Sequence, residues 1–198
     1  MARTQLISKE RSTTYATAAD FCRVFKEDMQ SLYSLSLMLA AEPDKAEQLF
    51  VSGLDDAAST PVFKEWARAW ARRTIVKNAV RLIAPGLDHA NGVSNAPVSI
   101  GDAIKSLPEL PAEIRAVLGL GAFERFAFIL SALEGYSDQD SALLLGCTRQ
   151  ALIAARVRAE QELARSRAAH GGHQTNAKPN NQVSAIELAV PAAMPVPA

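Results

Sequence analysis

Apolar residues recur at helical spacing along most of this chain. Phe21, Phe25, Met29, Leu32, Leu35 and Leu39 fall at three- and four-residue steps, a period that predicts one amphipathic helix from about Ala18. Glu42-Pro43-Asp44 ends it, because proline drives the residue before it out of the helical region. A second helix follows, with Ala46, Leu49, Phe50 and Leu54 as its apolar side. Thr60 as a cap and Pro61 in the first turn predict a third helix from Pro61 to about Ile83, stopped by Ala84-Pro85-Gly86. Residues 1 to 17 are polar and read as a frayed terminus. The stretch from 85 to 106 carries Gly, Asn, Ser and Pro without periodicity and reads as a linker.

A second helical unit begins near Leu107. Pro111 opens a short helix to about Leu118, Gly119-Leu120-Gly121 interrupts it, and the next helix spans Ala122 to Leu133. Phe123, Phe126, Ile129, Leu130 and Leu133 are its residues for burial. Ser137 with Asp140 is a weakened capping box that starts a helix carrying Ala142, Leu144 and Leu145. Gly146 suits a sharp left-handed turn. Thr148 then caps a final helix with Leu152, Ala155, Ala159 and Leu163 as one stripe. Two helices joined by a three-residue turn containing Gly make a helix-turn-helix, and Arg149 and Gln150 stand where such a motif reads base edges. Thr148 is placed to reach a phosphate. An ordinary helical hairpin with a solvated charged end fits the spacing equally well.

The predicted fold class is all-α, with two small helical domains joined by a linker and a helix-turn-helix in the second. The expected boundaries are 18–84 and 107–167, with a disordered tail from 168 to 198 that is rich in Gly, Asn and Pro. His170 and His173 belong to that solvated end rather than to a metal site.

Composition narrows the function. Lys plus Arg equals Asp plus Glu at 21 each in 198 residues, which excludes attraction of nucleic acid by the whole surface but leaves room for a local basic face. Such a face exists in the third helix. Lys64, Arg68, Arg72, Arg73, Lys77 and Arg81 stand there against the single acid Glu65, with Arg73, Lys77 and Arg81 four residues apart on one side. Beside them, Trp66 and Trp70 are also four apart. Cations on phosphates and bases on rings suit single-stranded DNA, although the Trp pair fits a core position slightly better than a stacking surface. Cys22 and Cys147 lack metal-ligand spacing and read as small buried side chains in a reducing compartment. The N-terminus has no secretory pattern, and no run approaches the roughly 20 apolar residues that span a bilayer. The expectation is a soluble cytoplasmic protein. No phosphate loop, Ser-His-Asp set or His/Cys cluster supports an enzyme, and no cofactor is called for.

The segment "RFAFILSALEGYSDQDSALLLGCTRQAL" resembles the C-terminal domain of bacterial RNA polymerase sigma factors, especially the two-domain extracytoplasmic-function group. In that family an Arg-Phe helix, Leu-Glu-Gly, a short helix, Leu-Gly and a recognition helix follow in this order. "RVRAEQEL" is similar to the basic, Leu-terminated end of that helix, which adds Arg158 to the DNA-contacting set. Independently, "LYSLSLMLAAEPDKAEQLF" resembles the family's Leu-Tyr-x-Leu-Ala helix and the Ala-Glu-Asp-Leu of its polymerase-binding helix, with Ala46, Glu47, Leu49 and Phe50 in the matching stretch. "WARAWARRTIVKNAVRLI" resembles the Trp-rich basic helix that opens and holds the downstream promoter element. The resemblance implies a protein that binds core RNA polymerase and promoter DNA. Thr148, Arg149, Gln150 and Arg158 would read the upstream element. Arg73, Lys77, Arg81, Trp66 and Trp70 would hold the downstream one.

The departures fall on functional positions. Where the family carries cations early in the recognition helix, near Ile153 and Ala155, this chain has "ALIAA", and Arg156 holds a usually apolar place. From Leu120 to Arg167 six arginines face six acids, so the phosphate attraction that drives most DNA affinity is weak there. Gln48, Val51 and Ser52 depart from the polymerase-binding pattern. A second reading therefore stands beside the first: a sigma-derived interaction module whose partner is a response regulator or an anti-sigma protein, favoured by neutral charge and by an exposed Ile153. An unrelated helix-turn-helix repressor comes third.

Overall fold

The computed structural model describes residues 14–83 and 110–171, and within them the fold is all-α. Four helices come from the N-terminal part: α1 (Ala18–Glu27), α2 (Met29–Ala40), α3 (Pro43–Ala58) and α4 (Ala67–Ile83). Four come from the C-terminal part: α5 (Ala112–Leu118), α6 (Ala122–Phe128), α7 (Asp138–Leu145) and α8 (Arg149–Gly171). The expected linker, most of the tail and the first thirteen residues lie outside the described residues.

The long first helix is two helices. Asp28, at φ −101° and ψ 17°, leaves the helical region and separates α1 from α2. The displaced register turns Met29 outward, 57 % exposed, while Leu32, Leu35 and Leu39 stay in the core. Thr17 and Asp20 close a full capping box on α1. The Thr17 backbone N–H, then its hydroxyl, and further off Lys64 hold the pKa of the Asp20 carboxyl at about 2. The stability this gives is complete above the ordinary aspartate range and is lost as pH falls through about 2. Tyr15 and Ala16, expected to fray, are held: the Ala16 N–H donates to the Val62 carbonyl at 2.7 Å, and the Tyr15 ring stacks on Phe63 with centroids 4.8 Å apart.

Pro43 acts as its sequence position requires. Glu42 is extended at φ −132° and ψ 130°, and the turn is completed by Ala41 in the left-handed region at φ 61°. Thr60 and Pro61 do not start the next helix. The Thr60 hydroxyl donates back to the Asp56 carbonyl at 3.0 Å, the chain runs extended to Phe63, and a single 3-10 turn (Lys64–Trp66) leads into α4. Helices α3 and α4 pack closely where Gly53 meets Ile75: a Cβ on Gly53 would lie 2.7 Å from the Ile75 Cγ1. The Thr74 hydroxyl donates to the Gly53 carbonyl at 3.1 Å across the same contact.

In the C-terminal part, α6 widens into a π-helical turn at Ile129–Leu133, closed by the Glu134 N–H on the Ile129 carbonyl at 2.9 Å. That widening leaves Leu133 exposed rather than buried. Gly146, at φ 65°, ends α7, and the Thr148 hydroxyl accepts the Ala151 N–H at 3.2 Å to cap α8. Leu152, Ala155, Ala159 and Leu163 are buried against α6 and α5, as their spacing predicts.

The two helical groups also pack on each other. α2 meets α5 and α6, α4 meets α7, and the buried apolar side chains of both groups form one cluster. Arg125 pins the contact. It is 3 % exposed, and its guanidinium donates to the Leu120 carbonyl at 3.0 Å and to the Leu39 carbonyl, at the C-terminal end of α2, at 3.3 Å. Burial lowers its pKa to about 10, offset in part by Glu42.

Candidate nucleic-acid interface

Helix α4 carries the basic face, and the fold divides its cations into used and unused. Arg68 pairs with Glu27 at 2.6 Å and Asp28 at 3.3 Å, Lys64 lies 3.4 Å from Asp20, and Arg81 lies 3.9 Å from Asp56. Arg72 donates through Nε to Glu134 at 2.9 Å, makes a second bond to the same carboxylate through Nη2, and reaches the Ser31 hydroxyl at 2.9 Å. The bond to Glu134 holds its proton more firmly than in a free arginine. Arg73 and Lys77 make no ion pair among the described residues, and both are exposed. The Arg73 guanidinium stands over the Trp70 ring, 6.0 Å from its centroid.

The two tryptophans part company. Trp66 is 59 % exposed, and its ring meets Phe63 edge-on at 5.5 Å. With Tyr15 it makes a run of three exposed aromatic rings at the start of α4. Trp70 is half-buried, and its Nε1 has no partner among the described residues. A groove of about 510 Å³ runs beside it, walled by Trp70, Arg73 and Lys77 of α4 and by Tyr136, Asp140 and Leu143 of the C-terminal group. Burial pushes the Tyr136 hydroxyl pKa up, against the pull of Arg73.

The candidate recognition helix is arranged differently. Arg149 and Gln150 are exposed at the start of α8, and the Arg149 guanidinium is 3.9 Å from Asp138. Thr148 is engaged as the cap. Arg158 is not free: its Nε and Nη2 donate to Glu124 at 3.1 and 2.9 Å. Arg156 pairs with Asp138 at 2.6 Å and Arg165 with Glu162 at 2.9 Å. Ile153 is half-buried rather than exposed.

On α3, Ala46 and Leu49 are buried and can present nothing to another molecule. Glu47 is exposed, and Phe50 is half-buried with its ring edge-on to Phe25 at 5.2 Å and Tyr33 at 6.2 Å. Of the residues expected to bind polymerase, only Glu47 and part of Phe50 reach the surface, and Val51 beside them is exposed. Cys22, expected to be buried, is exposed, and Cys147 is half-buried. No group of metal-ligating side chains occurs among the described residues, and no described helix is long and apolar enough to cross a membrane.

No family model and no curated protein matches this chain. Among solved structures, the sigma factor RpoE in complex with the anti-sigma factor NepR from Bartonella quintana is similar. It is 22 % identical over 74 % of this chain and 96 % of that one, with a TM-score of 0.42.

Two residues beside this face have no local signal in the sequence. Tyr15 joins the aromatic run at Phe63 through a backbone pairing across 48 positions. Glu134 reaches Arg72 from 62 positions away. Only a tertiary contact puts each of them here.

Proposed function

We propose that this chain is a sigma-factor-like transcription-initiation protein that binds core RNA polymerase and directs it to promoters. The observation that carries the reading is the α4 face. There Arg73 and Lys77, with no ion-pair partner among the described residues, flank the Trp70 ring, and an exposed Trp66 extends the surface. Cations for phosphates beside rings for unstacked bases are what capture of a melted strand requires. The ordered resemblance of both halves to sigma factors supports it, and so does the exposure of Arg149 and Gln150 on the second helix of a capped helix-turn-helix. The chemistry of RNA synthesis belongs to the polymerase; this chain positions and captures DNA and needs no cofactor.

The second reading, a sigma-derived module for an anti-sigma or response-regulator partner, draws on a different observation. Arg156 and Arg158 are consumed by Asp138 and Glu124, which removes cations from the helix that would bind duplex DNA. Titration of the purified full chain against bacterial core RNA polymerase separates the two. The first reading expects a stable complex that carries a promoter fragment; a folded chain that forms none gives precedence to the second.

A further inference from the structure

The groove beside Trp70 gathers two cations, two aromatic rings and one carboxylate around about 510 Å³. We propose that it is a binding site for one free nucleoside monophosphate. Arg73 and Lys77 take the phosphate, Trp70 and Tyr136 the base, and Asp140 accepts from a sugar hydroxyl or a base N–H. The inference goes beyond the reading of α4 as a strand-binding face and does not rest on it.

Each group suits its part. Arg73 and Lys77 are four residues apart on α4, exposed and without an ion pair among the described residues. Side chains at that spacing stand about 5–6 Å apart at Cβ, close enough for one phosphate to accept from both. The Arg73 guanidinium already lies over the Trp70 ring, 6.0 Å from its centroid. Across the groove, burial raises the pKa of the Tyr136 hydroxyl against the pull of Arg73, so the phenol keeps its proton and donates. Asp140 stands in the first turn of α7, where its Oδ2 accepts the Ser137 hydroxyl at 2.7 Å. Among the described residues its Oδ1 is left for a ligand. Leu143, 71 % exposed on the same wall, offers an apolar surface for a base to cover.

The wall is set in advance. The Tyr136 N–H closes on the Leu130 carbonyl at 2.9 Å, and Arg72 holds the neighbouring Glu134 through two bonds. The turn that bears Tyr136 is thereby fixed against α4 before a ligand arrives, which lowers the ordering cost of binding. Small-ligand pockets run from roughly 300 to 1,000 Å³, and a groove of this volume takes one nucleotide rather than a chain of them. The carboxylate favours the same occupant. It repels the further phosphates of a strand, whereas a mononucleotide keeps its phosphate at the cations and offers donors at its other end. A simple anion would leave the rings and the carboxylate unused.

The test uses the full chain carrying Trp66→Phe, which leaves Trp70 as the one indole. Its fluorescence is followed during titration with adenosine monophosphate (AMP), adenosine and inorganic phosphate. AMP should quench saturably below about 1 mM, and about tenfold more tightly than adenosine or phosphate. Lys77→Ala, at an exposed position, should weaken AMP about tenfold and leave adenosine unchanged. Arg165→Ala, an equal loss of charge on α8, should change AMP binding less than about twofold. Asp140→Asn removes both an acceptor and a repelling charge, so it should weaken AMP while tightening inorganic phosphate. Tightening of both ligands by Asp140→Asn would overturn the site. So would equal effects of Lys77→Ala and Arg165→Ala, or AMP bound no better than phosphate. A fluorescent twelve-nucleotide single strand, titrated with the wild-type chain, separates this site from the strand reading. Strand binding without any response to AMP sinks the nucleotide site alone; a response to AMP without strand binding keeps the site and sinks the strand reading.

Discussion

Helices α4 and α8 are both arginine-rich, and the fold pairs most of their charges with acids but leaves two neighbouring cations of α4 unpaired among the described residues. On α4 two neighbouring cations, Arg73 and Lys77, are left without an ion-pair partner among the described residues, next to an aromatic surface. On α8 Arg156, Arg158 and Arg165 each pair with an acid at 2.9 Å or less, and Arg125 of the neighbouring α6 is buried as a structural pin. A neutral chain can therefore still carry a local field, because what matters is which cations the fold has already satisfied. In this molecule Arg125, Arg156, Arg158 and Arg165 serve the fold, and on α4 Arg73 and Lys77 stay exposed without an ion pair among the described residues.

The largest effect that could break this contrast is on stability. Arg125→Ala removes the donor to two carbonyls and leaves a void at the contact of the two groups, and should cost about 3 kcal/mol. Arg73→Ala, on the open side of α4, should cost less than about 0.5 kcal/mol. Urea midpoints of the two variants check this; similar losses would mean that the division between structural and open cations is wrong. Next comes base reading. Arg149→Ala with Gln150→Ala should lower promoter discrimination by about ten- to a hundredfold without changing the midpoint; unchanged binding at every sequence tested would remove α8 from the DNA contact.

Smaller still is the effect of emptying α4. Arg73→Ala with Lys77→Ala should weaken single-strand binding about tenfold at moderate salt, read by fluorescence anisotropy. The smallest sharpens the other side of the contrast. Glu124→Gln frees Arg158 and should tighten duplex binding by only a few fold, since an exposed pair is worth less than about 1 kcal/mol. A larger gain would show that internal pairing is what keeps α8 from duplex DNA.

Much of the architecture could be read from local pattern. The Pro43 break, the Gly146 turn, the Thr148 cap and the Leu152 stripe are decided within a few residues, and the structure has each of them where the spacing puts it. What the sequence hid is decided across the chain or by small departures from helical geometry. Asp28 breaks the first helix without proline or glycine, and Met29 turns outward in consequence. The π-helical turn after α6 leaves the apolar period of Ile129 to Leu133 intact as text while moving Leu133 to the surface. The candidate interface was legible as a cluster of residue types on α4. Which cations remain open was not, because Arg72 and Arg158 are neutralised by acids 62 and 34 positions away. Arg125 appears in the sequence as one more surface charge, and nothing near it announces burial.

The most direct test of the central claim is the salt dependence of single-strand binding, measured in parallel for the wild-type chain, Arg73→Ala with Lys77→Ala, and Arg158→Ala. Every cation taken away from a phosphate should reduce the slope of log K against log salt by about 0.7. The account expects a drop of about 1.4 for the α4 pair and no change for Arg158→Ala, whose guanidinium Glu124 already holds. Equal slopes for all three chains, or a drop confined to Arg158→Ala, would contradict it.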